Sequence, residues 1–283
     1  MSPLDAQLIE HIKTQVAFAL KEDIGSGDIT AQLIPYDQII TANLISREEA
    51  VLCGQAWANE VFSQLGENVS LIWHKQDGDL IQANEVFLTL KGHARSILTG
   101  ERTALNFLQT LSYTATETHH YCQIVADTQL TILDTRKTIP GMRLAQKYAV
   151  RTGGGQNHRI GLYDAFLIKE NHIMAAGSIT KAVAMAEQIA PGKTIEIETE
   201  SLAEVDEAVK AGAHIIMLDN FSYEDMSTAV QKYKDQVKFE ASGNMDQDRL
   251  SAVAATGVDY VSIGALTKHI SAIDLSLRVS QEK

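Results

Sequence analysis

Long apolar runs are missing from this chain. No stretch of the 283 residues approaches the ~18–20 uninterrupted apolar residues that a helical membrane span needs. Cysteine is scarce. Cys53 and Cys122 are the only two, and their spacing is not that of a metal site, so a disulfide framework is excluded and a reduced, cytoplasmic setting is expected. The segment Met1 to Glu10 carries acids and no basic n-region, which argues against a secretory signal. Positive charge is in deficit: 24 Lys and Arg stand against 36 Asp and Glu, for a net charge of −12. Sequence-independent nucleic-acid binding rests on cations at phosphates and is disfavoured accordingly.

The positive charge that is present is concentrated. Between Asp134 and Glu170 there are seven bases, Arg136, Lys137, Arg143, Lys147, Arg151, Arg159 and Lys169, and three acids, Asp134, Asp164 and Glu170. A basic island in an acidic chain points to a focused anion site. Arg143, Lys147 and Arg151, spaced by four, also fit the solvated face of a helix.

The pattern of elements predicts two domains. Leu4, Leu8, Ile9, Ile12, Val16, Ala19 and Leu20 recur at helical spacing until Gly25. Residues 41–92 read as short strands (41–46, 71–74, 86–90) with a tight turn at Asp77-Gly78-Asp79. A long helix is expected from about Thr99 to Asp127. Beyond it, short apolar runs at 131–135, 165–169, 194–199, 214–219, 238–241 and 260–263 alternate with helical segments at 178–189, 201–211, 223–233 and 246–255. Strand and helix in alternation imply parallel strands with right-handed crossovers. The expected fold is α/β: an incomplete, open β/α barrel over residues 109–270, beside a smaller α+β sandwich domain over 1–108. Alternation at Ile273, Leu275, Leu277 and Val279 predicts a last strand that completes the smaller domain with residues 271–283.

Polar residues cluster where a barrel keeps its site, at the C-terminal ends of the strands. The ends carry Arg136-Lys137, Lys169-Glu170-Asn171-His172, Glu198, Asp219-Asn220, Ser242-Gly243-Asn244 and Gly264. Arg136, Lys137, Arg159 and Lys169, with His158, can hold carboxylates or phosphates. Glu198 and Asp219 suit sugar hydroxyls or a hydrated Mg²⁺. The glycines of the last two loops suit a phosphate held by backbone N–H groups. His172 reads as a structural hydrogen-bonding residue, Met142 and Met174 as core, and Gly153-Gly154-Gly155 as close backbone packing at the site.

At these residues a resemblance emerges. Residues 133–141 (LDTRKTIPG) and 147–159 (KYAVRTGGGQNHR) closely resemble the quinolinate phosphoribosyltransferase family, the carboxylating nicotinate-nucleotide pyrophosphorylases. Residues 167–172 (LIKENH), 196–198 (EIE), 217–220 (MLDN), 240–244 (EASGN) and 262–267 (SIGALT) agree, as do 22–25 (EDIG) and 100–106 (GERTALN). The resemblance implies conversion of quinolinate and phosphoribosyl pyrophosphate into nicotinate mononucleotide, pyrophosphate and CO₂ with Mg²⁺, a step of NAD biosynthesis. It implies a quinolinate set of Arg102, Arg136, His158, Arg159 and Lys169, with Thr135 beside them. Glu198 and Asp219 would hold the ribose through or beside the metal, Lys137 the pyrophosphate, and the backbone of Ser242, Gly243, Asn244, Ile263, Gly264 and Ala265 the 5′-phosphate. Lys137, Glu198 and Asp219 are the implied catalytic residues. The resemblance also implies a homodimer, or a hexamer built from it, in which Arg102 reaches the neighbouring subunit's site. Three other readings fit parts of the pattern: a nicotinate phosphoribosyltransferase or a molybdate-transport paralogue of the same barrel, a class I aldolase using Lys169 as Schiff-base former, and a lipoyl-type carrier, whose lysine hairpin this sequence lacks.

Overall fold

An amphipathic helix begins the first unit. In α1 (Ala6–Ile24) the Asp5 carboxylate accepts the Leu8 N–H at 2.7 Å, and Gly25, at φ 55°, ends the helix. Leu8, Ile12, Val16 and Leu20 form the buried stripe that the sequence spacing predicts. The computed structural model describes residues 5–66, 69–243 and 245–280, so Leu4, Asn244 and the end of the 271–283 segment lie outside the described residues.

β1 (Ile39–Ser46), β2 (Ala50–Val51), α2 (Gln55–Gln64), β3 (Val69–Trp73), β4 (Leu80–Ile81), β5 (Val86–His93) and α3 (Ala94–Ile124) follow. β1 pairs antiparallel with β5, β5 with β3, and the C-terminal strand Leu275–Val279 adds to the free side of β1. The core beneath holds Trp57, Phe62, Phe87, Leu88, Leu105 and Leu108. α2 was not expected among strands: its Trp57, Val61 and Phe62 favour strands locally, and ten residues are too few to show a clear helical period. α3 starts five residues before the expected Thr99, because β5 runs straight into it and the Ala94 N–H donates to the Gln38 carbonyl at 2.9 Å.

The chain divides into two compact units. One is Met1–His119 with Ile139–Gly154 and His269–Lys283; the other is His120–Thr138 with Gly155–Lys268. The division differs from a cut at residue 108, since it falls within α3 and assigns 139–154 to the first unit. β6 (Thr131–Leu133) precedes α4 (Arg143–Thr152), which buries Ala145, Gln146, Lys147, Tyr148, Ala149 and Val150. Lys147 is 2% exposed, so the four-residue spacing of Arg143, Lys147 and Arg151 is not a solvated face. Tyr148 packs against Trp57, ring centroids 5.5 Å apart, and donates its hydroxyl to Asp77 Oδ2 at 2.8 Å. Asp77 Oδ1 accepts the Gln55 N–H at 3.1 Å. The Asp77-Gly78-Asp79 turn therefore also supplies a buried anchor for α4, and burial raises the Asp77 pKa against the pull of these hydrogen bonds. Gly153 packs on α3 rather than on the site: a Cβ there would overlap the Ala115 carbonyl and Thr118. Met142 is half-buried against the first unit's core, whereas Met174 is 75% exposed and not core.

The second unit is α/β with a parallel sheet. Its elements after β6 are β7 (Phe166–Ile168), α5 (Glu170–Ala176), α6 (Ile179–Ile189), β8 (Ile195–Thr199), α7 (Leu202–Ala211), β9 (Ile215–Asp219), α8 (Tyr223–Tyr233), β10 (Lys238–Ser242), α9 (Gln247–Ala255), β11 (Tyr260–Ser262) and α10 (Ala265–Lys268); β12 is Leu275–Val279 in the first unit. The strand order is β6-β11-β10-β9-β8-β7, every pair parallel. The helices start where the sequence supplies a cap: Ser178, Ser201, Ser222 and Asp246 each accept a backbone N–H three residues on. Among the described residues no helix is long and apolar enough to cross a membrane.

Both cysteines are free thiols. Burial pushes Cys53 well above its ordinary pKa and Cys122 up to about 11.

Tyr148→Phe leaves Asp77 Oδ2 without its donor in a buried place. The expected cost is roughly 1–3 kcal/mol in urea unfolding; an unchanged midpoint would show that Asp77 is not an anchor.

Candidate active site

Parallel pairing brings all the strand ends of the second unit to one edge of the sheet. Ile168 lies beside Ile197, Glu198 beside Met217, Asp219 beside Ser242, and Ala241 beside Val261. Lys169, just past β7, and Glu198, Asp219 and Ser242, at the ends of their strands, therefore share one rim, joined through β11 by Arg136 and Lys137 after β6.

The Arg136-Lys137 loop is tied down from both sides. The Lys137 N–H donates to Thr135 Oγ1 at 3.0 Å, and Thr267 Oγ1 donates to the Lys137 carbonyl at 2.9 Å. Arg159 donates through Nη1 to the Ala165 carbonyl at 3.3 Å. Burial lowers the Arg159 pKa, and the like charge of Arg136 lowers it further. Two guanidiniums that repel one another form a ready site for an anion. Lys169 Nζ is ion-paired with Glu198 Oε2. This pairing does not suit the aldolase reading, since a Schiff base needs a neutral amine. His172 is structural, as expected: its Nδ1 accepts the Lys169 N–H at 3.0 Å.

Beneath the rim, His158, which the resemblance assigns to the quinolinate set, meets two carboxylates that sequence reading did not assign. His158 Nε2 stands 2.8 Å from Glu196 Oε2 and 3.4 Å from Glu240 Oε2. Glu196 is 2% exposed and Glu240 fully buried. Their donor atoms lie within 4.8 Å of one another, close enough in principle for a cation. Burial alone would lower the His158 pKa, but the hydrogen bonds and charges of Glu196 and Glu240 outweigh it and push the pKa up to about 10. Burial and the Glu240 charge raise Glu196 to about 7. The Arg159 N–H meets His158 Nδ1 at 2.8 Å, which favours the neutral ring. An imidazolium has no acceptor at Nδ1, so the Arg159 contact belongs to the neutral ring protonated on Nε2, with the cluster's further proton on the carboxylate side, where Glu196 is raised. Asp134, also buried, accepts the His158 N–H at 2.9 Å and the Asn157 side chain at 2.6 Å, and so fixes the 157–159 segment. The available signal for Glu196 was its two-residue offset from Glu198 on one strand, which turns both to one face.

The glycine ends differ in use. A Cβ on Gly264 would lie 3.0 Å from Lys137 Cδ, so the Lys137 stem rests on this glycine. Gly243, at φ 102°, faces Asn220, itself at φ 55° and donating its N–H to the Ser242 carbonyl at 3.1 Å. The Ile263 N–H donates to the Leu133 carbonyl at 2.9 Å, so it is engaged within the sheet; Gly264 and Ala265 remain the backbone candidates in that loop. Asn244 lies outside the described residues. Arg102 belongs to the first unit, exposed on α3.

Comparison with known proteins agrees over the whole length. Residues 114–278 match the domain family described as "Quinolinate phosphoribosyl transferase, C-terminal domain", and residues 28–112 its N-terminal domain. A Bacillus subtilis protein named "Probable nicotinate-nucleotide pyrophosphorylase [carboxylating]" is 44% identical over 260 residues, covering 92% of this chain and 90% of its own. The Mycobacterium leprae nicotinate-nucleotide pyrophosphorylase (carboxylating) is 39% identical over 268 residues, 92% of this chain and 94% of its own. A solved nicotinate-nucleotide pyrophosphorylase from Francisella tularensis superposes with a TM-score of 0.94 at 51% identity, covering 99% of this chain and 98% of its own.

In Gly243→Ala the new methyl would overlap the Asn220 carboxamide at a backbone angle that side chains rarely adopt. The expected loss is roughly 1–3 kcal/mol in urea unfolding, with part of it recovered by Asn220→Gly in the same chain. Full stability in the single variant would mean that the two loops are not packed as described.

Proposed function

The chain belongs to the quinolinate phosphoribosyltransferase family, and from that premise we propose how its second unit joins quinolinate to phosphoribosyl pyrophosphate, giving nicotinate mononucleotide, pyrophosphate and CO₂ in NAD biosynthesis. The observation that carries this reading is the gathering of Arg136, Arg159 and Lys169 with Glu198 and Asp219 on one rim. Quinolinate has two adjacent carboxylates and needs several cations in one pocket. Arg136 and Arg159 offer planar donor pairs, and Lys169 exchanges its Glu198 partner for a substrate carboxylate. Glu198, so released, turns to the ribose hydroxyls beside Asp219.

No protein nucleophile is required. The sugar passes through an oxocarbenium-like state, and the chain supplies position, shielding from water and charge for the leaving pyrophosphate, which Lys137 is placed to meet. Glu198 and Asp219 are hard oxygen donors at neighbouring strand ends and fit Mg²⁺, which would supply further neutralisation of the pyrophosphate charge. The backbone at Gly243, Gly264 and Ala265 takes the 5′-phosphate. Once the ring nitrogen carries the ribose it is positive and draws the electrons of the C2–carboxylate bond. CO₂ then leaves, C2 keeps the electrons of the broken bond and takes up a proton from solvent to give the C2–H of the product, while Arg136 and Arg159 hold the ring in place.

The sheet itself supports the finer architecture. Its two edge strands, β6 and β7, are consecutive in the chain, so the order is that of a barrel opened between them, and Gln156 makes a bridge to Leu133 along the β6 edge. The four-stranded sheet with α1 and α2 is read as the smaller sandwich domain, with β12 as its added strand. The proposal includes a cytoplasmic location, on composition alone, and a homodimer in which Arg102 serves the partner's site.

With quinolinate as substrate, nicotinate mononucleotide forms; with nicotinate it forms at least ~100-fold more slowly, since unpaired cations in the pocket cost a few kcal/mol. Equal turnover of the two acids in a pyrophosphate-release assay sinks the assignment.

The shared site is tested by subunit exchange between inactive Arg102→Ala and Arg136→Ala proteins. In a mixed twofold dimer one site carries both lesions and the other none, so activity returns to about half the sites of mixed dimers. Verified exchange without recovery assigns Arg102 to its own chain.

A further inference from the structure

We propose that Glu196 and Glu240 are positioning residues of the quinolinate pocket, acting on Arg159 through His158. The inference rests on the assignment of this rim to quinolinate. Its ground is geometric. Glu196 lies two residues before Glu198 on β8, and Glu240 two before Ser242 on β10, so each points to the same face as its rim neighbour, one layer deeper. β9 runs between these strands, and a barrel layer draws its side chains from alternate strands. The layer under the rim is where branched apolar residues are expected, yet it holds two carboxylates.

Such a pair does nothing for the fold. Glu240 has no exposed surface and meets His158 Nε2 only at a long 3.4 Å, and Glu196 Oε1 makes no hydrogen bond. Buried carboxylates of this kind generally lower stability relative to neutral groups of equal volume. What the two acids do is hold His158 Nε2 from below, at 2.8 and 3.4 Å. The other face of the ring is fixed as well: Nδ1 accepts the Arg159 N–H at 2.8 Å, and the His158 N–H is held by Asp134 at 2.9 Å. A linear chain of contacts thus runs from the deep carboxylates through one imidazole to the backbone of Arg159, whose guanidinium reaches the rim. The ring transmits position: if it tilts, the Arg159 amide loses its acceptor and the guanidinium its setting.

The test uses the full chain with Glu240→Gln and, separately, Glu196→Gln, alone and in a His158→Asn background. Expected for each single variant is a KM for quinolinate raised roughly tenfold, a KM for phosphoribosyl pyrophosphate within about twofold of the parent, and a Tm equal to or above it. In the His158→Asn background the same change should add less than about twofold. Four results overturn the proposal: unchanged or tighter quinolinate binding, equal rises in both KM values, full additivity with His158→Asn, or a stoichiometric divalent ion in the purified protein that Glu240→Gln removes. A variant that fails to fold overturns it too, because the acids are assigned to the site and not to the fold. If the parent chain does not consume quinolinate, the functional assignment falls instead, and that arm is read first.

Discussion

Parallel strand pairing is the constraint on which the rest of the second unit depends. Six strands in one direction leave all their C-terminal ends, and the loops that follow, on one edge. The side-chain period of two then sorts each strand into a rim residue and a residue one layer down. Ser178, Ser201, Ser222 and Asp246 start the helices on that same edge, so exposed N–H groups and positive helix ends accompany the cations there. The charge distribution of an acidic chain with one cationic rim follows from this direction of pairing, not from any single loop.

The site is stabilised against its own charges. Arg136 and Arg159 repel, and Lys169 is held by Glu198. The buried Glu196 beneath offsets part of that repulsion through its charge on Arg159.

Much of this was legible from residue order. The alternation of short apolar runs with capped helical segments gave the parallel sheet within a residue or two at most ends, because capping and burial of both faces leave strong local marks. The rim residues were legible because six strand ends in succession carry polar groups; one such ending alone is common by chance. What stayed hidden depends on tertiary contact. α2 and α4 are short, and their burial comes from Trp57, Tyr148 and Asp77 meeting across the first unit. Lys147 looked solvated because spacing cannot show what covers a face. Glu196 and Glu240 were visible as letters inside matching motifs, but a carboxylate in a strand reads as a solvent-facing residue until the fold closes over it. Asp134 was hidden for the same reason, and the engaged Ile263 amide could be known only from strand register.

The two native thiols have a practical consequence. Burial pushes the Cys122 thiol up to about 11 and raises Cys53 well above its ordinary value, so both are held protonated at neutral pH. Protonated thiols react slowly with electrophilic dyes, so both native cysteines are expected to label slowly at neutral pH. A cysteine introduced on the surface, at Lys193 for instance, would be the one fast-labelling position in the chain. Two preparations could then carry different fluorophores without first removing any native residue, and energy transfer between them would report directly on how chains find one another in solution.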